Sequence, residues 1–586
     1  MRWYFIFFLV SGFCSLVYEV VWLRLAMAQF GVITPLVSVV LSVFMAGLGL
    51  GSWAAGRLIA GIRTETPGLP LRLYALIELL IGVAGLLVPR LLITGHALLL
   101  ERGGGAGWGS PEYFLGATLW ITLALLPACT CMGATFPLAM AAIEKSFRAR
   151  AAQSFSYLYV ANVLGAVLGT AVPAFVLIEA LGFLGTSRVA VALNVLLAAA
   201  ALGLSRATSS GVPVEATPAE SRPTPQTSDT PAGNTLALLF TTGVVSLALE
   251  VVWIRLFTPY IGTVVYAFAT ILILYLLGTF LGSRWYRATS PAALPARAAT
   301  AWVLAGVCAA LALACADPRF GPPGFLRGVL RVMVGVAPFS AAVGFVTPML
   351  VDRWSAGDPR RAGRAYAVNV LGAIVGPLVA GFALLPWLGE RWSVALLTLP
   401  LLGLAWRATR ARSAAPLSVR AALLLPLLLL LLARTYEEKF QPRQVRRDYA
   451  ATVTAVGTGM EKRLLVNGTS MTVLTPITKM MAHLPLAFLP RPPRNALVIA
   501  FGMGTSHRSL LSWGIPATAV ELIPSVPALF GYFHPDGPGL LASPRSRVVI
   551  DDGRRFLERS SEQFDVITID PPPPVEAAGS SLLYSR

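Results

Sequence analysis

Four residues near the end of the chain have the types and order of a nucleoside site: Gly502, Gly504, Glu521 and Asp552. Glycines in the turn after a strand let the backbone approach a ligand. A carboxylate closing the next strand can take two ribose hydroxyls, and an acid after a third strand can reach an adenine amine. The chain supplies each in turn. ALVIAF (496–501) reads as a buried strand, Gly502-Met503-Gly504 as a tight turn and 505–513 as a helix. A second strand, 518–522, carries Glu521; a third, 547–550, precedes Asp551-Asp552; and a fourth, 565–569, precedes Asp570. The alternative is that Glu521 and Asp552 only cap the helices that follow them. His483 starts an apolar helix, where core packing competes with catalysis, and His507 follows Thr505-Ser506, where a ligand contact competes with a surface role.

A second set of acids, Glu19, Glu78 and Glu250, stands inside apolar runs. A carboxylate within a membrane helix is costly and faces a cavity or a partner. These three are therefore candidates for a membrane cavity that handles a cation or polyamine, with a buried structural ion pair as the alternative; Glu179, near a helix end, is a further member. Arg24 and Arg255 follow Glu19 and Glu250 on the far side of the helix, so any partners must come from other helices. The five cysteines and four histidines show neither metal-site spacing nor a disulfide framework, and no metal is expected.

The elements that must position these residues belong to a membrane protein. A composition of 56% hydrophobic and 13% charged residues with a mean hydropathy of +0.71 excludes an ordinary soluble chain. Apolar segments long enough to span begin near 3, 33, 72, 114, 154, 187, 235, 263, 299, 329, 365 and 393. A Pro/Thr/Ser-rich linker divides them into two sets of six. The sets are duplicates: SGFCSLVYEVVWLRL (Ser11 to Leu25) returns as TGVVSLALEVVWIRL (Thr242 to Leu256), and NVLGA at Asn162 returns at Asn369. The glycines of 46–52 and 162–169 form stripes suited to close helix packing.

The net charge of +18 is mainly a topology signal, not a sign of nucleic-acid binding. With the N-terminus inside, the inward loops hold more than twice the basic residues of the outward ones. The leucine run 421–433 is short and contains Pro426, which leaves interfacial, re-entrant and spanning courses open at a bacterial-type inner membrane. The basic cluster Arg434 to Arg447 is expected at anionic lipid headgroups.

The fold expected is an α-helical polytopic membrane bundle with 12 or 13 spans in two six-helix repeats, then a β-hairpin and an α/β Rossmann-like domain of methyltransferase type. Its divisions are 1–205 and 235–412 for the membrane halves, 206–234 for the linker, 413–447 for an apolar and basic connector, 448–490 for the hairpin region and 491–586 for the Rossmann-like domain. A sheet of this type needs seven strands, and the sequence stops at Arg586 shortly after the fourth, so a truncated domain or a fragment is expected.

From Tyr449 onward the chain resembles the spermidine synthase (polyamine aminopropyltransferase) family, through LVNG (465–468), MMAHLPL (480–486), ALVIAFGMGT (496–505), VEL (520–522), DDG (551–553) and FDVITIDPP (564–572). SLVYEVVWLRL (15–25) and GLGLGSWAAGRL (47–58) resemble the branch in which a major-facilitator-like region precedes that domain. The resemblance implies transfer of an aminopropyl group from decarboxylated S-adenosylmethionine to an amine such as putrescine; because such a donor is a cytoplasmic metabolite, the expectation is that 421–433 does not fully cross and that the following domain is cytoplasmic. Glu521 would then hold the ribose, Asp552 the adenine, and Asp570 would orient or deprotonate the amine, with His483 a further catalytic candidate. Three departures run against polyamine recognition: Met503 stands where the family has an Asp, Pro573 replaces the second acid after the fourth strand, and no acid lies between Asn467 and His483. Two other readings stay open: a transporter or scaffold with a nucleoside- or polyamine-sensing domain, and a methyltransferase using ordinary S-adenosylmethionine.

Overall fold

The computed structural model describes all residues except 1, 32–33, 62–67, 103–110, 147–152, 210–231, 263, 322–323, 411–416 and 570–586. Most of the expected linker and Asp570 therefore lie outside the described residues.

The first half contains α1 (Arg2–Phe30), α2 (Thr34–Gly61), α3 (Leu69–Arg102), α4 (Pro111–Ser146), α5 (Ser154–Val172) and α6 (Ile178–Ser209). The second contains α7 (Ala232–Ile261), α8 (Val264–Arg287), the broken pair α9 (Leu294–Cys308) and α10 (Leu311–Cys315), α11 (Phe325–Ser355), α12 (Pro359–Val379) and α13 (Leu385–Arg410). Nine helical segments among the described residues are long and apolar enough to cross a bilayer. Two of these, Ser154–Arg206 and Pro359–Arg410, each bend at a left-handed glycine, Gly182 and Gly389, with φ of 67° and 70°.

Glycine sets how closely the helices approach. A Cβ on Gly51 would stand 1.9 Å from the Thr130 carbonyl oxygen, and one on Gly282 would stand 1.9 Å from that of Ala341. Gly12 lies against the Asn162 backbone as Gly243 lies against that of Asn369. The duplicated stripes are therefore backbone-to-backbone seams in both halves, as small-residue packing requires.

The segment after α13 corrects one expectation. α14 (Leu417–Ala422) and α15 (Leu425–Leu432) run back along α13 and do not stop short. Arg391, near the start of α13, donates to the Leu430 carbonyl (2.8 Å), and Arg319, just before α11, donates to that of Leu432 (2.7 Å). These guanidinium groups satisfy end-of-helix carbonyls, which lets a leucine run too short by itself finish at the far end of the bundle. The soluble domain consequently docks where α1 and α3 end: the Phe30 ring meets His96 edge-on, and His96 lies 3.5 Å from Glu558. The halves also join at the opposite end, where the Ser156 amide donates to Asp352 (3.3 Å).

In place of a simple hairpin, the soluble part opens with a four-stranded antiparallel sheet in the order β1 (Arg443–Arg447), β2 (Thr452–Val456), β3 (Arg463–Val466), β4 (Thr469–Val473). Its first strand lies inside the stretch expected as connector. RQVRR lacks the apolar alternation that marks a strand, because charged side chains suit a sheet edge. α16 (Pro476–Ala487) leads to a parallel sheet built from β5 (Ala496–Ile499), β6 (Ala517–Glu521), β7 (Ser546–Ile550) and β8 (Val566–Ile569), ordered β7-β6-β5-β8. Between its strands stand α17 (Thr505–Leu511), the short α18 (Phe530–Phe533) and α19 (Gly537–Leu541), and α20 (Gly553–Arg559).

Candidate nucleoside site

The strand order brings the ends of β5, β6 and β7 side by side, so that the glycine turn, Glu521 and Asp551-Asp552 share one sheet edge. Every residue of β5 is buried. The chain then turns through Ala500, Gly502 and Gly504, whose φ values are 72°, 54° and 76°. Gly504 is confined by packing too, since a Cβ there would meet the Phe530 ring at 2.3 Å.

Glu521 holds this turn. One carboxylate oxygen accepts the amides of Phe501 (2.9 Å) and Gly502 (3.3 Å), and the other accepts that of Ile523 (3.0 Å). Burial pushes its carboxyl above the ordinary value, opposed by these backbone N–H groups. A carboxylate has about four lone-pair directions, so a ribose must share Glu521 with the backbone it organises. Asp552 is the N-cap of α20, accepting the amides of Arg554 (3.0 Å) and Arg555 (3.2 Å). Capping and ligand contact thus converge on the same two acids.

The two candidate histidines do not join them. His483 Nδ1 accepts from Trp513 Nε1 (2.8 Å), just beyond the end of α17, whereas the glycine turn lies before its start. His507 is fully buried, its Nε2 lies 2.8 Å from Ser546 Oγ, and burial lowers its pKa to about 4. Met503 is buried in the core that includes Phe501 and Phe530, so the turn carries an apolar side chain where an amine-holding acid would stand.

The bundle supplies a part of this edge that has no signal in the sequence. The Arg555 guanidinium lies 3.6 Å from the centre of the Tyr113 ring in α4 and 3.6 Å from Asp551. No local spacing connects residues so distant in the chain. The antiparallel sheet rests on the second half: Arg255 donates to the Tyr449 carbonyl (2.8 Å), Thr452 Oγ1 to Glu390 (2.9 Å) and Thr469 Oγ1 to the Gly262 carbonyl (3.1 Å). Arg447, expected at lipid headgroups, instead pairs with Glu437 and lies 3.9 Å from Glu390, because these acids border the same interface.

In the bundle, Glu19 and Glu250 are buried, each one turn before a residue that lines a cavity between the halves, Leu23 and Ile254 respectively. None of the three acids is itself among the lining residues of that cavity, and Glu78 stands apart from it. It is buried within the first half and accepts from Ser11 Oγ (2.8 Å) and Asn194 Nδ2 (2.6 Å).

Residues 475–586 match the family model of the spermine/spermidine synthase domain. Over 111 residues the chain is 32% identical to a polyamine aminopropyltransferase of Thermoplasma volcanium, covering 18% of this chain and 41% of that protein. The chain thus spans about two fifths of the length of that curated relative. A spermidine synthase structure from Thermotoga maritima aligns at 22% identity over 22% of this chain and 47% of its own, with a TM-score of 0.20. A structure of the nucleoside transporter NupG aligns at 12% identity over 70% of this chain and all of its own, with a TM-score of 0.43.

Proposed function

We propose that this is a multi-pass membrane protein whose bundle, twelve spans in two duplicated halves plus the returning segment 417–432, carries a Rossmann-like domain of spermidine synthase type. Its division into halves at 1–205 and 235–412, with the parallel-sheet domain at 491–586, is part of this reading. The domain binds an S-adenosyl nucleoside through Gly502, Gly504, Glu521 and Asp552, and its reaction is aminopropyl transfer from decarboxylated S-adenosylmethionine to a polyamine such as putrescine. The observation that carries the reading is the shared edge, where Glu521 braces the glycine turn and Asp552 follows the neighbouring strand. In the reaction a neutral amine attacks the carbon beside a sulfonium, so the protein must orient the two and take up a proton. Asp570 remains the candidate for that role; His483, bonded to Trp513, has the weaker claim.

A second reading, favoured by the burial of Met503, is a transporter or scaffold whose domain senses the nucleoside or the amine. Arg284, Arg287 and Arg353 stand at the end of the bundle where Ser156 meets Asp352, away from the domain, and the positive-inside rule then supports a domain outside the cytoplasm, in place of the expected cytoplasmic side. In purified full-length protein given labelled decarboxylated S-adenosylmethionine and putrescine, release of methylthioadenosine supports the transferase. Saturable binding without release supports the sensor, no binding contradicts both, and turnover of ordinary S-adenosylmethionine identifies a methyltransferase.

A further inference from the structure

We propose that Tyr113, a residue of the membrane bundle, is a positioning residue of the nucleoside site, so that the adenine end of that site is complete only when α20 is docked on the bundle. The inference rests on the nucleoside reading above. Arg555 is 2% exposed, Asp551 4% and Tyr113 7%. A guanidinium buried this deeply needs compensating partners, and it has the ring face at 3.6 Å and the Asp551 carboxylate at 3.6 Å. Asp551 Oδ1 in turn accepts the backbone amide of Asp552 (2.9 Å), and the Asp552 carboxylate accepts the backbone amide of Arg555 (3.2 Å). The contacts close a loop in which fixing the Arg555 side chain fixes the backbone that aims Asp552.

α20 has seven residues, too few to hold its conformation unaided. Its anchors include bundle residues: Tyr113 under Arg555, and His96, 3.5 Å from Glu558. Glu521 differs, because it is held by amides of its own domain. Undocking α20 should therefore disturb the carboxylate that reads the base amine and spare the one that reads the ribose.

The test uses full-length protein in lipid nanodiscs, with 5′-methylthioadenosine and its inosine counterpart, which lacks the amine, as probes. Tyr113→Leu removes the ring, whereas Tyr113→Phe keeps a face for the guanidinium. The expected result is an affinity for methylthioadenosine about tenfold weaker in Y113L, with discrimination against the inosine compound lost and both properties restored in Y113F. Unchanged discrimination in Y113L, or a Y113F as impaired as Y113L, overturns the proposal. Amide exchange across 553–559 without ligand separates the two claims: faster exchange in Y113L alone supports the positioning role even if no nucleoside binds, which would sink the nucleoside reading by itself. Unchanged exchange in Y113L overturns the positioning role.

Discussion

The two membrane halves share their seams and differ at the end that meets the soluble domain. Gly51 and Gly282 press on the backbones of Thr130 and Ala341, Gly12 and Gly243 on those of Asn162 and Asn369, and Gly182 and Gly389 break the chain in the same left-handed geometry. The repeated arginines have diverged. Arg24 lines the cavity between the halves, while Arg255 is buried beneath the antiparallel sheet and holds the Tyr449 carbonyl. The first half receives α20 on Tyr113 and His96, and the second receives the sheet on Glu390 and Gly262. Backbone contacts tolerate no added atom, whereas side chains at helix ends are free to take on separate partners. The duplication thus kept its packing and gave each half its own part in holding the domain.

That comparison can be tested most severely at the seams. Gly51→Val and Gly282→Val each place a side chain against backbone and should destabilise the protein by about 3 kcal/mol or more. Thermal unfolding in detergent should show losses of similar size, and tolerance of one change alone would break the equivalence of the halves. The next effect separates domain from bundle. Burial holds His507 and His534 at about 4, below the usual 6.5. Neutral buried histidine favours the folded state above pH 6.5, and that stability is lost as pH falls from 6.5 toward 4, about 3 kcal/mol for His507. Hydrogen exchange should show the soluble domain loosening in this window before the bundle does, and His507→Gln should reduce its acid sensitivity.

Smaller effects sharpen the asymmetry. Arg255→Ala should loosen the docked sheet by about 2 kcal/mol, as expected for a buried charged hydrogen bond. Exchange at 448–450 should rise in that variant and stay unchanged in Arg24→Ala; equal effects would argue that the arginines still share one role. Glu78→Gln, which keeps the shape of the Ser11 and Asn194 network, should cost about 1 kcal/mol, visible as a small drop in unfolding temperature.

Much of this was legible in the sequence where the physical demand is narrow. A glycine seam admits almost no other residue, so its repeats stand out, and ALVIAF followed by Gly-x-Gly signals a buried strand entering a tight turn. The path of 417–432 was hidden because its leucine run is shorter than a bilayer, and its end is completed by Arg391 and Arg319 from elsewhere in the chain. Strand β1 was hidden by its charges. Glu78 had the same apparent signal as Glu19 and Glu250, since an intramembrane acid looks alike whether it lies one turn from a cavity or against its own Ser11 and Asn194. The link from Tyr113 to Arg555 carries no local pattern and appears only once the chain is folded.

The proposed nucleoside recognition occurs at the edge formed by β5, β6 and β7. A cryo-electron microscopy map of the full-length protein with saturating 5′-methylthioadenosine tests it most directly. Density is expected between the glycine turn, Glu521 and Asp552, with the ribose against Glu521 and the base toward Asp552. An empty edge, or ligand density only in the cavity between the membrane halves, would contradict it.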